Sequence, residues 1–560
     1  MPAQVYEEVW NIECQGLEPV AVQPGSRNPS FPLVPLRRTP QRTMRQLRLV
    51  VLENSYFRAE ICPDLGGRLA ALFDKRVDQV ILARPDSIAP VQGGIRGVEW
   101  NHGLQIAVEG RLTTLGSVDV QIREPEEDEP AAAICFERVV GTPLSWHACW
   151  SLAEDEAVLR LEIQLLNRSL LPWNGDWGVR LGASDGLVVL NGNQPHSEGY
   201  LSLSPLMPTA IMPRRTSRHL LEIHSAAGIS GAVVSPLLAV GTDAQTLQIA
   251  SVKTLASVDF RLETADGAFA SAVFLAPDHV LTAELPAPVE SWTATCQGQV
   301  IASFPTPEPA KTSFSTAAEA WLKEEGVEGE VQGAIRDWLA DPLQSSVPEI
   351  PLVIGAEHLH FMLRAFANAR RQDFAAAMDD LDDALGFAAN DPLTWWFKAV
   401  LRSRTSREDE ENPEQLNAHF LAPLEPLLRI QSFLDQGAAQ GREPNPLMKP
   451  IAADPEVLMD AAEILLLSGM KEQATLLLDE VLRHRPIQRA HLVLGWLALS
   501  QKTMDFEAAR HAQSAAEIDL EPPFPNRPFE LTAIAALHQR FPSFKFDQLL
   551  KLLPEAKISS

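Results

Sequence analysis

The sequence predicts a multidomain β + α protein, an antiparallel β-sandwich half followed by an α-helical solenoid. Three observations carry this reading. Apolar and polar residues alternate with a period of two in short runs up to about residue 303. A proline-bearing stretch, Phe304–Thr312, then breaks the pattern. Beyond it the apolar spacing turns helical, and a unit of about 34 residues recurs.

Residues 1–45 hold many prolines and read as an extended N-terminal segment. Strand patterns begin near Leu47. In 55–61, Phe57, Ala59 and Ile61 alternate with Tyr56, Arg58 and Glu60, the signature of a half-buried strand. Asp64-Leu65-Gly66-Gly67 reads as a turn, because paired glycines tolerate positive φ. Leu159, Leu161, Ile163 and Leu165 alternate with Arg160, Glu162 and Gln164, the cleanest strand in the chain. The acidic run 124–129 reads as a solvated loop. Residues 46–303 are therefore expected to form one sandwich domain and 304–314 a linker, with helices over 315–555. Thr316 and Glu319 have the spacing of a capping box for the first helix.

The helical repeat is written in small residues where paired helices approach. Gly469, Ala474, Val481 and Pro486 set the pattern. Asp505 to Ala509 with Ala516 and Pro522 repeats it, and Asp373-Phe374 with Ala377, Leu381 and Ala384 gives a third copy. This spacing predicts the tetratricopeptide type of repeat, with a generic helical bundle as the alternative. The stretches 407–414 and 436–450 interrupt it and read as loops.

The net charge of −26 argues against nucleic acid and anionic membranes as partners, since both need a concentrated basic face. Five cysteines, none in a CxxC spacing, favour neither a disulfide framework nor a zinc site. No cofactor and no metal is expected: P-loop, HExxH, GxSxG and dinucleotide fingerprints are all missing. The opening residues carry acids rather than an apolar core, so a cytoplasmic location is expected.

Three blocks are familiar together. One runs from Leu52 to Arg58, then through Pro63-Asp64-Leu65-Gly66-Gly67-Arg68 to Leu72-Phe73-Asp74-Lys75; the second is Gly93-Gly94-Ile95 with Glu99-Trp100-Asn101; the third lies in 454–469. They resemble a bacterial family of unknown function that joins a galactose-mutarotase-like supersandwich to C-terminal tetratricopeptide repeats. Arg96-Gly97-Val98 separate motifs that the family tends to run together, and the family's aromatic, Lys- and Gly-rich stretch is not recognisable between His219 and Val258.

The resemblance implies a carbohydrate-directed protein, an enzyme that epimerises an anomeric centre or cleaves a glycosidic bond. Such chemistry needs a base and an acid. Phe260 to Gly267 looks like a divergent copy of the related folds' base motif, which makes Glu263 the candidate base and Glu99 the second carboxylate. His196, in a loop-like segment, and His102, beside the Glu-Trp-Asn motif, are the candidate acids. Arg68, Trp100 and Asn101 are candidate sugar-binding residues, together with Trp173, Asn174, Asp176 and Trp177. The alternative is a non-catalytic carbohydrate-binding or scaffold protein whose repeats engage a protein partner or a second copy.

Overall fold

A computed structural model describes residues 2–305 and 327–551, apart from short internal stretches (23–27, 29, 95, 101, 109–110, 113–115, 128, 183, 185, 193, 198, 204–210, 227, 230, 244–245, 286, 406–412, 423, 437–442, 502–503, 520, 543–545 and 547–548). Most of the expected linker and the Thr316–Glu319 capping box fall in 306–326, outside the described residues.

The chain has a β-rich N-terminal part and a helical C-terminal part. Two large sheets dominate the first. A ten-stranded sheet runs in the order Gly199–Ser202, Trp177–Leu181, Leu104–Val108, Arg68–Asp74, Phe57–Cys62, Leu36–Glu53, Gln4–Pro19 and Ser87–Ile88, with two short strands off this path. A seven-stranded sheet faces it, centred on Leu144–Leu152, Leu159–Asn167 and Thr216–Ser225. One core joins them. Val50, Leu52, Phe57 and Ile61 from the first sheet meet Trp146, Trp150, Leu161 and Ile163 from the second. Trp150 Nε1 crosses the gap to donate to Gly67 O at 3.1 Å. The alternation in Leu159–Asn167 is realised, with Leu159, Leu161, Ile163 and Leu165 buried and the residues between them half-buried. The Gly66–Gly67 turn is also realised, at φ 83° and 68° after a short 3-10 turn over Pro63–Leu65.

Two expectations need correction. The segment 1–45 is not a lead-in outside the sheet. Gln4–Pro19 and Leu36–Glu53 are long antiparallel strands, with Trp10 opposite Leu47. The first has its own period of two, and Trp10, Ile12 and Cys14 bury against Leu47 and Leu49 on the outer face of the ten-stranded sheet. Nor does 46–303 have a single core. Strands from Val233 to Phe304 form two four-stranded sheets around a separate cluster that includes Leu238, Ile249, Val258, Phe260 and Trp292. A continuous run of short strands carries no mark of which sheet each will join.

The helices pack as sequential hairpins: Glu357–Arg370 on Phe374–Phe387, Pro455–Leu467 on Lys471–Leu482, and Gln488–Leu499 on Asp505–Glu517. Asp373, Asp391 and Asp454 cap helix N-termini with their carboxylates. Gly469 turns the second hairpin at φ 76°, a conformation that costs glycine little. Pro446–Met448 and Lys449–Ala453 form two short helices where a loop was expected. No helix among the described residues is long and apolar enough to cross a membrane.

The two parts share a core and a charge network. Leu166 and Leu170 of the sheet half join the helical cluster. Between them Arg168 pairs with Glu425 and Asp460. Arg138 pairs with Asp460, Arg527 with Glu456, Asp460 and Glu463, and Arg489 with Glu456 and Glu530.

Candidate functional site

Beneath the connection that follows Leu82, the outer face of the ten-stranded sheet carries a cavity of about 110 Å3. Trp10, Trp100, Arg68 and His102 line it, with Leu65, Ala70, Pro85, Ser87, Ile88 and Ala89. Its construction follows from local sequence. The Gly66–Gly67 turn starts the Arg68–Asp74 strand, so Arg68 enters at the strand's first position. Alternation along Gln4–Pro19 sends Trp10 to the same outer face. Gly103 sits at φ 80°, and a Cβ there would lie 2.3 Å from Leu69 O. Only glycine lets the chain after His102 pass this close to the strand.

Arg68 is 2% exposed. Nε donates to Leu65 O at 2.5 Å and Nη1 to His102 O at 3.0 Å. No carboxylate pairs with it among the described residues. Burial pulls the guanidinium down to about 10, still charged at neutral pH. His102 Nε2 lies 3.2 Å from Ala70 O, and burial lowers its pKa, so the ring is neutral at pH 7. Trp100 is 4% exposed and belongs to the apolar cluster behind the cavity. A flat indole, a charged donor set and a neutral imidazole can hold a small polar ring.

The expected meeting of two carboxylates is not found. Glu99 closes the short hairpin Val91–Gln92/Val98–Glu99, where its Oε1 accepts from Arg180 Nη1 at 2.7 Å. A Cβ on Gly93 would lie 2.8 Å from the same carboxylate, so Glu99 is packed into its own turn. Glu263 stands on Leu255–Thr264 in the separate β unit, exposed to solvent, with Ser291 Oγ at 3.2 Å and Arg261 at 3.6 Å. Its neighbours Leu262 and Thr264 take the inward positions, which turns Glu263 outward.

The other candidates are dispersed. His196 lies on Gln194–His196 at the edge of the seven-stranded sheet, opposite Val189. Trp173 and Trp177 belong to the inter-sheet core, and Trp177 packs edge-on to His219 at 5.0 Å. Asn174 is exposed, and Asp176 accepts from Ser202 Oγ at 2.7 Å. Asn101 lies outside the described residues. Of the predicted set, the cavity gathers Arg68, Trp100 and His102. Sequence reading missed Trp10, although its alternation with Ile12 and Cys14 was there to be read.

Fold and cavity define a two-part protein, β-rich then helical, with a small cation-lined cavity on the outside of its largest sheet. A family model described as a domain of unknown function (DUF5107) matches residues 26–171. That span contains Arg68, Trp100 and His102 but not Trp10. No curated protein matches the chain. Among solved structures, a TPR-domain containing protein from Parabacteroides distasonis is 13% identical, with 99% of this chain and 96% of that chain covered and a TM-score of 0.31. A polysaccharide lyase is 10% identical, covering 90% and 82%, with a TM-score of 0.14.

Proposed function

We propose that the chain is a non-catalytic carbohydrate-binding protein, with the β-rich part as the sugar-binding module and the helical part as a scaffold. The module is read as a galactose-mutarotase-like supersandwich, supported by two large sheets facing across one core. The scaffold is read as tetratricopeptide-type, supported by successive helical hairpins, one of which turns at Gly469. The observation that carries the binding reading is the cavity formed by Trp10, Trp100, Arg68 and His102. The dispersal of Glu99 and Glu263 favours binding over turnover, because acid–base chemistry at one anomeric centre needs both groups within reach of it.

The test is a titration of monosaccharides followed by intrinsic tryptophan fluorescence and calorimetry. Binding that is lost in Trp100→Ala supports the reading. Anomeric exchange faster than the spontaneous rate, abolished by Glu99→Gln, would replace it with the enzymatic one.

A protein partner for the helical part is a second reading. A groove of about 830 Å3 runs along Glu357–Arg370 and is lined by His360, Arg364, Arg370 and Arg371 together with Glu349; Arg364 is paired with Asp380, which leaves a modest excess of positive charge. On a chain of net charge −26, the excess of Arg370 and Arg371 over Glu349 suits an acidic peptide segment. Fluorescence anisotropy with an acidic and a charge-neutral peptide tests this; equal binding of both would reject it.

A further inference from the structure

We infer that the outer-face cavity takes a carboxylate-bearing sugar, a uronate, with its carboxylate on Arg68 and its ring against the indoles of Trp10 and Trp100. This rests on the sugar-binding reading and narrows its ligand class.

Most other enclosed arginines among the described residues meet carboxylates: Arg76 meets Asp74, Arg168 meets Glu425 and Asp460, and Arg489 meets Glu456 and Glu530. Arg214 is the exception: Asp391 acts on its charge, but no ion pair joins the two. Arg68 is as buried as these, yet its hydrogen bonds go to two carbonyl oxygens. Carbonyl dipoles satisfy donors but leave a full charge uncompensated, which is costly in a closed site. Two of the five guanidinium N–H groups are used in this way; among the described residues the others have no partner and can meet an oxygen pair, the geometry that Arg offers a carboxylate.

The surroundings choose the anion. The next cation, Arg84, lies over the Trp10 ring at 5.7 Å but is taken by Glu60. His102 is neutral at pH 7. The cavity therefore presents one net positive charge, which matches a carboxylate rather than a phosphate dianion. A volume of about 110 Å3 admits one small group and part of a ring, well below the roughly 300 Å3 at which drug-sized pockets begin. The indoles supply apolar faces for sugar C–H groups.

The experiment titrates the full chain with galacturonate, glucuronate, their methyl esters, the parent hexoses, acetate and inorganic phosphate. At least one uronate is expected to bind tenfold or more tightly than its methyl ester and its parent hexose. Equal affinity for uronate, ester and hexose overturns the carboxylate assignment while leaving sugar binding intact. Acetate or phosphate binding as tightly as the uronate overturns the ring contact. Binding of no sugar at all overturns this inference and the reading beneath it together. Arg68→Gln is expected to erase the preference for uronate over ester; a preference that persists in the folded variant overturns the role of Arg68. The comparison of uronate with ester needs no variant, so the outcome does not depend on how Arg68→Gln folds.

Discussion

Arg168 and Glu425, 257 positions apart, form a two-pronged ion pair, with Nη1 to Oε2 at 2.6 Å and Nη2 to Oε1 at 3.3 Å. The arginine follows the cleanest strand of the sheet half and the glutamate belongs to the helical half. Both are buried. Removing Glu425 leaves Arg168 only Asp460, which Arg138 and Arg527 also share, so a buried positive charge goes under-compensated, at a cost of up to about 3–5 kcal/mol. Glu425→Gln is therefore expected to lower the urea midpoint sharply. Arg168→Met with Glu425→Leu is expected to recover much of the loss, because neither charge then remains. Equal loss in the single and double variants would show that the site acts through packing alone.

The same network sets the response to acid. Burial alone would raise the Glu425 and Glu456 carboxyls, but Arg168 and, for Glu456, Arg489 and Arg527 hold both below the usual range. Their contribution is full above the unfolded value of about 4.3 and is lost as pH falls through the lower folded values. Burial depresses His147 to about 4. Between about pH 4 and 6.5 the folded state then binds fewer protons than the unfolded state, so stability rises with pH across that window. Unfolding free energy is expected to fall from pH 7 to pH 4.5, and His147→Leu to make that slope shallower. An unchanged slope would show that His147 does not titrate this way.

What was legible was local. The alternation of Leu159, Leu161, Ile163 and Leu165 is visible in the chain and becomes one buried face. The Gly66–Gly67 turn and the cap at Asp373 follow from the backbone preferences of those residues. Trp10 was equally periodic, yet the prolines that follow its strand suggested a lead-in. Glu263 shows the limit most clearly. Its strand is real, but strand membership does not say which sheet or core the strand serves. Arg168 shows it too, since no short-range pattern announces a partner in another domain.

Gly103 offers a test of how the cavity is built. With φ at 80° and Leu69 O only 2.3 Å from where a methyl group would stand, Gly103→Ala meets both backbone strain and a backbone clash. A loss above about 1 kcal/mol is expected, since incompatible φ alone exceeds the usual gain from a glycine replacement. The Arg68 side chain lies 3.6 Å from the same methyl position. Sugar affinity is therefore expected to fall along with the melting temperature. A variant that melts lower but binds unchanged would separate the turn from the cavity.

Glu263 gives the opposite expectation. It is exposed and makes a 3.2 Å contact with Ser291 and a 3.6 Å contact with Arg261, itself exposed. Surface substitutions of this kind stay within about 0.5 kcal/mol. Glu263→Gln is expected to leave both the urea midpoint and the affinity for any bound sugar at wild-type values. The cavity gathers its charge at Arg68, on a different sheet around a different core, so a change at Glu263 has no path to it through packing. A tenfold loss of affinity in this variant would return Glu263 to the binding site and place the ligand on the smaller β unit.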